Sequence, residues 1–277
     1  MLYEPFVYKY ARVRNLPTIW CSGCGLGTCM RILMKAFDEL KLSREKLVLV
    51  SGIGCSSRIT AYTDCNTVHT THGRALPVAT GIKLANPSLT VVVIMGDGDG
   101  AAIGGNHLIH AARRNIDLTA IIFNNECYGM TSGQVSPMTP HMKYASTAPY
   151  GNIDHAFDLP AMMKAAGATY IARATTYHYP LAEKLIISAI EHKGFSFLEI
   201  LFQCPTYFGR FNKKMSATEM LKEYQERAVK YTPGKEKPLA EGQYYIGELF
   251  KDETKIEYTE LLKRQRESLK AEEAVVA

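Results

Sequence analysis

The 277-residue chain carries a formal charge of +5, with 47% hydrophobic and 21% charged residues, the make-up of a globular protein able to bury a sizeable core. It contains no apolar run of about 18 residues, so no membrane span is expected, and its basic residues are not interleaved with aromatics in the manner of a nucleic-acid surface. The mild positive excess reads as a generic surface, the alternative being a basic patch that steers an acidic partner.

Met1-Leu-Tyr-Glu-Pro-Phe6 lacks a basic segment followed by an apolar one, so no signal peptide is expected and the cytoplasm is the default compartment. Residues 1–24 read as an irregular arm, with Pro5, Pro17 and the turn-rich Cys21-Ser-Gly-Cys-Gly25. A helix follows to about Leu40, since Leu26, Met30, Leu33, Phe37 and Leu40 recur at helical spacing. Lys46-Leu-Val-Leu-Val50 reads as a buried strand running through Ser51 into the turn Gly52-Ile-Gly-Cys-Ser56. Residues 75–86 read as a helix ending at Asn86-Pro87. Leu89-Thr-Val-Val-Val-Ile-Met95 is a second strand, running into Gly96-Asp97-Gly98-Asp99-Gly100, and a helix over about 104–114 leads to a third, Leu118-Thr-Ala-Ile-Ile-Phe123, ending in Asn124-Asn125.

Residues 126–155 have no apolar period, and a structureless stretch of that length inside a domain is usually functional. The rhythm then resumes. Asp158 and Pro160 open a helix, Thr169-Tyr-Ile-Ala-Arg173 is a strand, 180–193 a helix and Phe195-Ser-Phe-Leu-Glu-Ile-Leu-Phe202 a strand. Beyond Asn212 the chain turns rich in Lys and Glu, with Pro233-Gly and Pro238 between pieces. This reads as a helical extension, 213–277, without a core of its own, which packs on a partner or stands in solvent. Strand candidates separated by helices predict an α/β fold, a doubly wound parallel sheet over 1–212.

On that fold Asp97 and Asn125 fall at the carboxyl ends of neighbouring strands, where open α/β sheets bind ligands. A carboxylate, an amide and a backbone carbonyl are hard oxygen donors suited to Mg²⁺, which takes its other ligands from phosphate and water. The glycines allow close approach of a diphosphate, and the following helix N-terminus favours an anion. Gly-Asp-Gly followed by Asn-Asn, both on strand ends, resembles the thiamine diphosphate (TPP) motif. Tyr128-Gly-Met-Thr131 places small and hydroxylated groups just past the proposed metal ligand.

Seven cysteines, an odd number without secretory context, point to metal or redox chemistry rather than a disulfide framework. Cys21-x-x-Cys24 in a glycine-rich turn lets two thiolates converge on one centre. Cys55 and Cys204 follow strands and fall on the same sheet edge as Asp97. Four thiolates suit a 4Fe–4S cluster; a four-cysteine zinc site is the alternative, and a thioredoxin-like pair does not match the strand-turn-helix context. Cys29, Cys65 and Cys127 have ordinary structural readings, and spacing alone does not choose the third and fourth ligands. Among the histidines, His107 and His110 read as partly exposed helix residues rather than a metal pair. His69 and His72 are a second candidate pair, with His72 the better candidate for a polar group facing a cofactor.

Taken together these residues resemble the β subunit of the 2-oxoacid:ferredoxin oxidoreductases. The likeness runs from about Trp20 to Arg210 and includes Cys-Ser-Gly-Cys, Ser51-Gly-Ile-Gly-Cys-Ser-Ser-Arg58, His72-Gly-Arg, Ala79-Thr-Gly-Ile-Lys-Leu-Ala-Asn-Pro87, Gly-Asp-Gly-Asp-Gly, Asn-Asn and Tyr-Gly-Met-Thr-Ser-Gly-Gln134. It implies one 4Fe–4S cluster on Cys21, Cys24, Cys55 and Cys204, and Mg²⁺ on Asp97, Asn125 and the backbone carbonyl of Cys127. It implies a TPP site formed by Gly54, Cys55, Ser56, His72, Gly73, Gly96, Gly98, Asp99, Tyr128, Gly129, Met130 and Thr131, with His72 catalytic. The implied reaction is oxidative decarboxylation of a 2-oxoacid with coenzyme A, electrons passing to ferredoxin, or the reverse carboxylation.

In this family a separate α subunit supplies the carboxylate that protonates the aminopyrimidine, so a chain inactive alone and a dimer of αβ heterodimers are expected. Cys65-Asn-Thr-Val-His-Thr-Thr-His72 and Cys204-Pro-Thr-Tyr-Phe-Gly-Arg210 look most like members acting on 2-oxoglutarate. Its second carboxylate needs a cationic recess, for which Arg58, Arg74 and Arg210 are the candidates in this chain. Pyruvate or a branched-chain 2-oxoacid is the alternative substrate. A non-oxidative TPP decarboxylase or synthase would not need the cysteines, and a simple iron–sulfur carrier would leave Gly-Asp-Gly and Asn-Asn without purpose.

Overall fold

A strand buried on both faces is apolar at nearly every position, and the strands here send alternate side chains into two separate clusters. The structure, a computed structural model, describes residues 3–213 and 216–276, with side chains through residue 270. Met1, Leu2, Lys214, Met215 and Ala277, which the sequence reading assigns to the arm and the tail, lie outside the described residues.

Helices α1 (Pro5–Tyr10) and α2 (Leu26–Glu39) precede β1 (Leu47–Ser51). The short α3 (Ile59–Tyr62) leads to β2 (Asn66–His69) and α4 (Ala75–Ala85). Then come β3 (Thr90–Gly96), α5 (Gly105–Arg114), β4 (Leu118–Asn124), α6 (Leu159–Ala166), β5 (Tyr170–Thr175), α7 (Tyr179–Glu191) and β6 (Phe195–Leu201). The chain ends with α8 (Ala217–Arg227), β7 (Ala228–Lys230), β8 (Tyr244–Lys251) and α9 (Tyr258–Val276).

The strands form one eight-stranded sheet in the order β2-β1-β3-β4-β6-β5-β8-β7. Its first six strands are parallel, and β8 joins β5 antiparallel. Leu47 and Leu49 of β1, Val92 and Ile94 of β3 and Leu198 and Ile200 of β6 pack with α1, α2 and α7. Val48 and Val50, Val91 and Val93, and Phe195 and Phe197 pack on the other face with α4, α5 and α6. Both faces are covered, as the doubly wound expectation requires.

Two expectations need correction. The arm is not irregular throughout: Phe6 and Tyr10 of α1 are buried, and the Tyr10 hydroxyl donates to the Phe37 and Leu42 carbonyls. Nor is the segment after Asn212 purely helical, because Tyr244-Tyr-Ile-Gly-Glu-Leu-Phe-Lys251 is apolar enough to extend the main sheet against β5. In addition, Asn66–His69, to which the sequence reading assigns no element, pairs with β1 as the edge strand β2.

Candidate active site

The register of the central strands decides what meets at their carboxyl ends. Gly96 is level with Phe123 and Asn124 with Leu201. Asp97, Asn125 and the segment before Cys204 therefore leave the sheet side by side, as the sequence predicts. Gly98–Ile103 forms a wide π-type turn that carries the chain from Asp97 towards α5, and a second such turn, Pro205–Gly209, follows Cys204. Turns of this kind are rare and frequent at functional sites.

Beside the first of these turns lies a cavity of about 290 Å³. Asp97, Asn125 and Cys127 form one side, and Gly96, Gly98, Asp99 and His72 another. Gly54, Cys55 and Ser56 enter from the loop after β1, and Tyr128, Gly129, Met130 and Thr131 close it from the loop after β4. Of the residues expected to bind TPP only Gly73 stands behind the wall, where its N–H donates to Asp99 Oδ1 at 2.7 Å. Two glycines are required by geometry. Gly54 has φ +130°, a left-handed backbone value that side chains avoid, and a Cβ on Gly98 would stand 2.1 Å from the Tyr128 ring.

Asp97 is 2% exposed, and Ser136 Oγ donates to its Oδ2 at 2.5 Å. Burial pushes the Asp97 carboxyl up to about 7, opposed by hydrogen bonds from the Ser136 hydroxyl and the Gly98 amide. Asp97 and Asn125 offer hard oxygens to the same cavity, a donor set that suits Mg²⁺. Asp99 is as buried, accepts from the Gly73 and Ile53 amides, and has its Oδ1 2.9 Å from His72 Nδ1. Burial raises the Asp99 carboxyl as well, opposed by those backbone amides and His72.

Next to it lies a smaller cavity of about 190 Å³, lined by Cys21, Cys24, Cys55 and Cys204 together. Its wall includes Cys55, Asn125, Gly129 and Met130, which also line the first cavity. The arm is fixed there by defined bonds. Trp20 Nε1 donates to the Cys55 carbonyl at 2.8 Å, the Ile19 amide to the Tyr62 hydroxyl at 2.7 Å, and the Gly25 amide to the Gln203 carbonyl at 3.0 Å. Burial pushes the Cys24 and Cys55 thiols up to about 12 and about 11, with the neighbouring cysteines adding to it. Cys204 runs the other way, to about 6, because the Cys127 thiol hydrogen-bonds its sulfur. Among the described residues no three His, Cys, Asp or Glu side chains converge to hold a single metal ion.

The remaining candidates lie elsewhere. His69 Nδ1 is 3.0 Å from Ser51 Oγ, and His110 Nδ1 accepts from Arg113 Nε at 3.3 Å, so both have other partners. Arg58 lines the cysteine cavity, Arg74 bonds the Gly73 and Ile103 carbonyls, and Arg210 stacks over Tyr207 and Phe211. Sequence reasoning passed over Ile53, Ser136 and Trp20, whose places depend on loops meeting across the fold.

Residues 52–200, which hold both the Asp97 and Asn125 turns, match the family model "Thiamine pyrophosphate enzyme, C-terminal TPP binding domain". The 2-oxoglutarate synthase subunit KorB of Methanocaldococcus jannaschii is 51% identical over 266 residues, covering 95% of this chain and 98% of that protein. The β subunit of 2-oxoacid:ferredoxin oxidoreductase 2 of Aeropyrum pernix is 43% identical, over 68% of this chain and 61% of that protein. The chain belongs to the 2-oxoacid:ferredoxin oxidoreductase β subunits. Among solved structures, the 2-oxoglutarate:ferredoxin oxidoreductase of Magnetococcus marinus, with 2-oxoglutarate, coenzyme A and succinyl-CoA bound, superposes with a TM-score of 0.86 at 34% identity. The match covers 95% of this chain and 90% of that one, so the likeness extends into the segment after Asn212. No helix among the described residues is long and apolar enough to cross a membrane.

Proposed function

We propose that this chain is the TPP-, Mg²⁺- and 4Fe–4S-binding β subunit of an enzyme that converts 2-oxoglutarate and coenzyme A to succinyl-CoA and CO₂, or runs the reverse carboxylation. In the forward direction the C1–C2 bond breaks and a thioester bond forms at C2. A proton and an electron pair are released, and the electrons leave singly to ferredoxin. The observation that carries this reading is the pair of adjoining cavities, one edged by Asp97 and Asn125 and the other by four cysteines, with a common wall.

Asp97, Asn125 and the Cys127 carbonyl would hold Mg²⁺ against a diphosphate, and Cys21, Cys24, Cys55 and Cys204 would hold the cluster. Bound there, TPP supplies carbanion stabilisation and the cluster one-electron acceptance. His72, 35% exposed in its side chain and braced by Asp99, would present its free ring edge to the reacting centre. Asp97 and Asp99 are the carboxylates among the residues lining this cavity, and both are committed. A further carboxylate for the aminopyrimidine must therefore come from a partner, in keeping with an α subunit and with assembly as a dimer of αβ heterodimers.

The test is the reconstituted αβ complex assayed with 2-oxoglutarate, pyruvate and branched-chain 2-oxoacids, with iron and TPP contents measured alongside. A site built for a polar group rejects analogues lacking it, so kcat/KM for 2-oxoglutarate should exceed that for pyruvate by well over roughly tenfold. Equal turnover of pyruvate removes 2-oxoglutarate as the substrate. Absence of iron or of TPP binding removes the cofactor assignment.

A further inference from the structure

The long connection between β4 and α6, residues 125–158, does more than supply the Tyr128–Thr131 wall. Its middle returns to the site at Ser136 and Thr139, which are 3% and 1% exposed. Ser136 Oγ donates to Asp97 Oδ2 at 2.5 Å and accepts from the Met138 amide at 3.2 Å. Thr139 Oγ1 donates to the Glu126 carbonyl at 2.7 Å and accepts from the Ser136 amide at 2.9 Å. The two hydroxyl oxygens stand 3.5 Å apart. A hydroxyl has one proton to give, and each of these gives it to one arm of the proposed cation site. Glu126 lies between Asn125 and Cys127 at φ +61°, a backbone value uncommon outside glycine. Its amide donates to Asn124 Oδ1 at 2.9 Å, so Glu126 is held at both its N–H and its carbonyl. The far end of the connection locks the pair, with Asn152 Nδ2 donating to the Thr139 carbonyl at 2.9 Å.

We infer that Ser136 and Thr139 form a buried strut that fixes the Asp97 turn against the Asn125–Cys127 turn and thereby sets the preference of the site for a small divalent cation. Asp97 follows β3 and Asn125 follows β4, so the spacing of their donors depends on something that ties the two turns together. Mg²⁺ demands near-ideal octahedral donors at about 2.0–2.1 Å, whereas Ca²⁺ accepts a flexible set at about 2.3–2.6 Å. Donors held in place therefore favour the smaller ion, and donors free to shift favour the larger. The inference rests on the proposed assignment of Asp97, Asn125 and the Cys127 carbonyl to Mg²⁺. Ser136 and Thr139 are positioning residues, and neither is among the residues lining the cavity.

The test is calorimetric titration of TPP into the αβ complex at increasing Mg²⁺ or Ca²⁺, which gives the half-saturating concentration of each metal. Iron content and Tm are measured for every sample. Loss of an outer hydrogen bond to a metal ligand costs about 10–100-fold in metal affinity. Ser136→Ala and Thr139→Val should therefore raise the half-saturating Mg²⁺ concentration by roughly that factor. The Ca²⁺ value should rise much less, so the preference for Mg²⁺ falls. Thr139→Ser keeps the hydroxyl and should retain the unsubstituted preference. Unchanged Mg²⁺ values in Ser136→Ala and Thr139→Val overturn the inference, as does an unsubstituted complex that binds TPP equally well with either metal. So do equal increases for the two metals, which would assign the residues to packing, and so does a Thr139→Ser protein as altered as Thr139→Val. If lost iron and a lowered Tm show that Ser136→Ala does not fold, the comparison of Thr139→Val with Thr139→Ser decides alone. Metal-independent TPP binding by the unsubstituted complex, or none at all, instead refutes the cation-site assignment beneath it.

Discussion

His72 Nδ1 stands 2.9 Å from Asp99 Oδ1, within ion-pair range though off the line of an aligned hydrogen bond. The same oxygen accepts the Gly73 and Ile53 amides, so one carboxylate ties the loop after β1, the His72 loop and the turn after β3. Asp99→Asn preserves shape and removes the charge that braces the imidazole. General acid–base roles contribute about 10²–10⁴-fold, and losing the brace should reduce kcat by roughly ten- to a hundredfold, within that contribution. Iron content should be unchanged. An Asp99→Asn complex with full kcat would take the pair out of the chemistry.

Asp97→Ala should abolish Mg²⁺-dependent TPP binding and leave iron in place. Asp97 is the charged side chain offered to the cation, and without the cation the diphosphate meets a buried, mostly neutral wall. Calorimetric titration of TPP with and without Mg²⁺ measures this directly, and an unaltered affinity would refute the metal assignment.

Cys21→Ser and Cys204→Ser should each cost most of the iron, since thiolates hold cluster irons better than alkoxides do. Cys29→Ser and Cys65→Ser should cost none. Cys29 is buried within α2, and Cys65 Sγ donates to the Asn66 carbonyl. Iron assays on anaerobically purified protein check the whole set; retention in Cys204→Ser with loss in Cys65→Ser would reassign the fourth ligand.

Glu126 makes a prediction about pH. It sits between Asn125 and Cys127 with φ +61°, is 8% exposed, and lines a separate cavity of about 510 Å³. Burial pushes its carboxyl from 4.5 up to about 7, with Arg227 opposing. Between those values the folded chain binds more protons than the unfolded one, so stability is greatest below 4.5 and declines as pH rises towards 7. Glu126→Gln does not titrate. It should therefore gain on the unsubstituted protein above pH 7, by at most about 3 kcal/mol at 1.4 kcal/mol per pH unit, and the two should converge near pH 4.5. Denaturant unfolding at pH 5 and pH 8 decides it: an offset identical at both values would show that Glu126 is ionised throughout.

The five central strands and the helices between them were legible because each is long, apolar and bounded by turn residues. Their carboxyl-end turns could therefore be aligned, and the Asp97, Asn125 and Cys55 placements followed. β8 was hidden by its surroundings: Lys- and Glu-rich flanks suggested helix, and Gly247 at φ +119° with a register break opposite Ile171 and Ala172 interrupts its pattern. Ser136 and Trp20 were illegible for another reason. Each acts through one bond to a residue 39 or 35 positions away, and no local spacing encodes such a meeting.

The sheet ends at both edges in stubs, four residues in β2 and three in β7. Exposed edges invite strand addition, and short ones blunt it. Neither margin offers a ladder long enough for an incoming chain to dock as a further strand. A chain added at either margin would therefore gain only three or four residues of ladder.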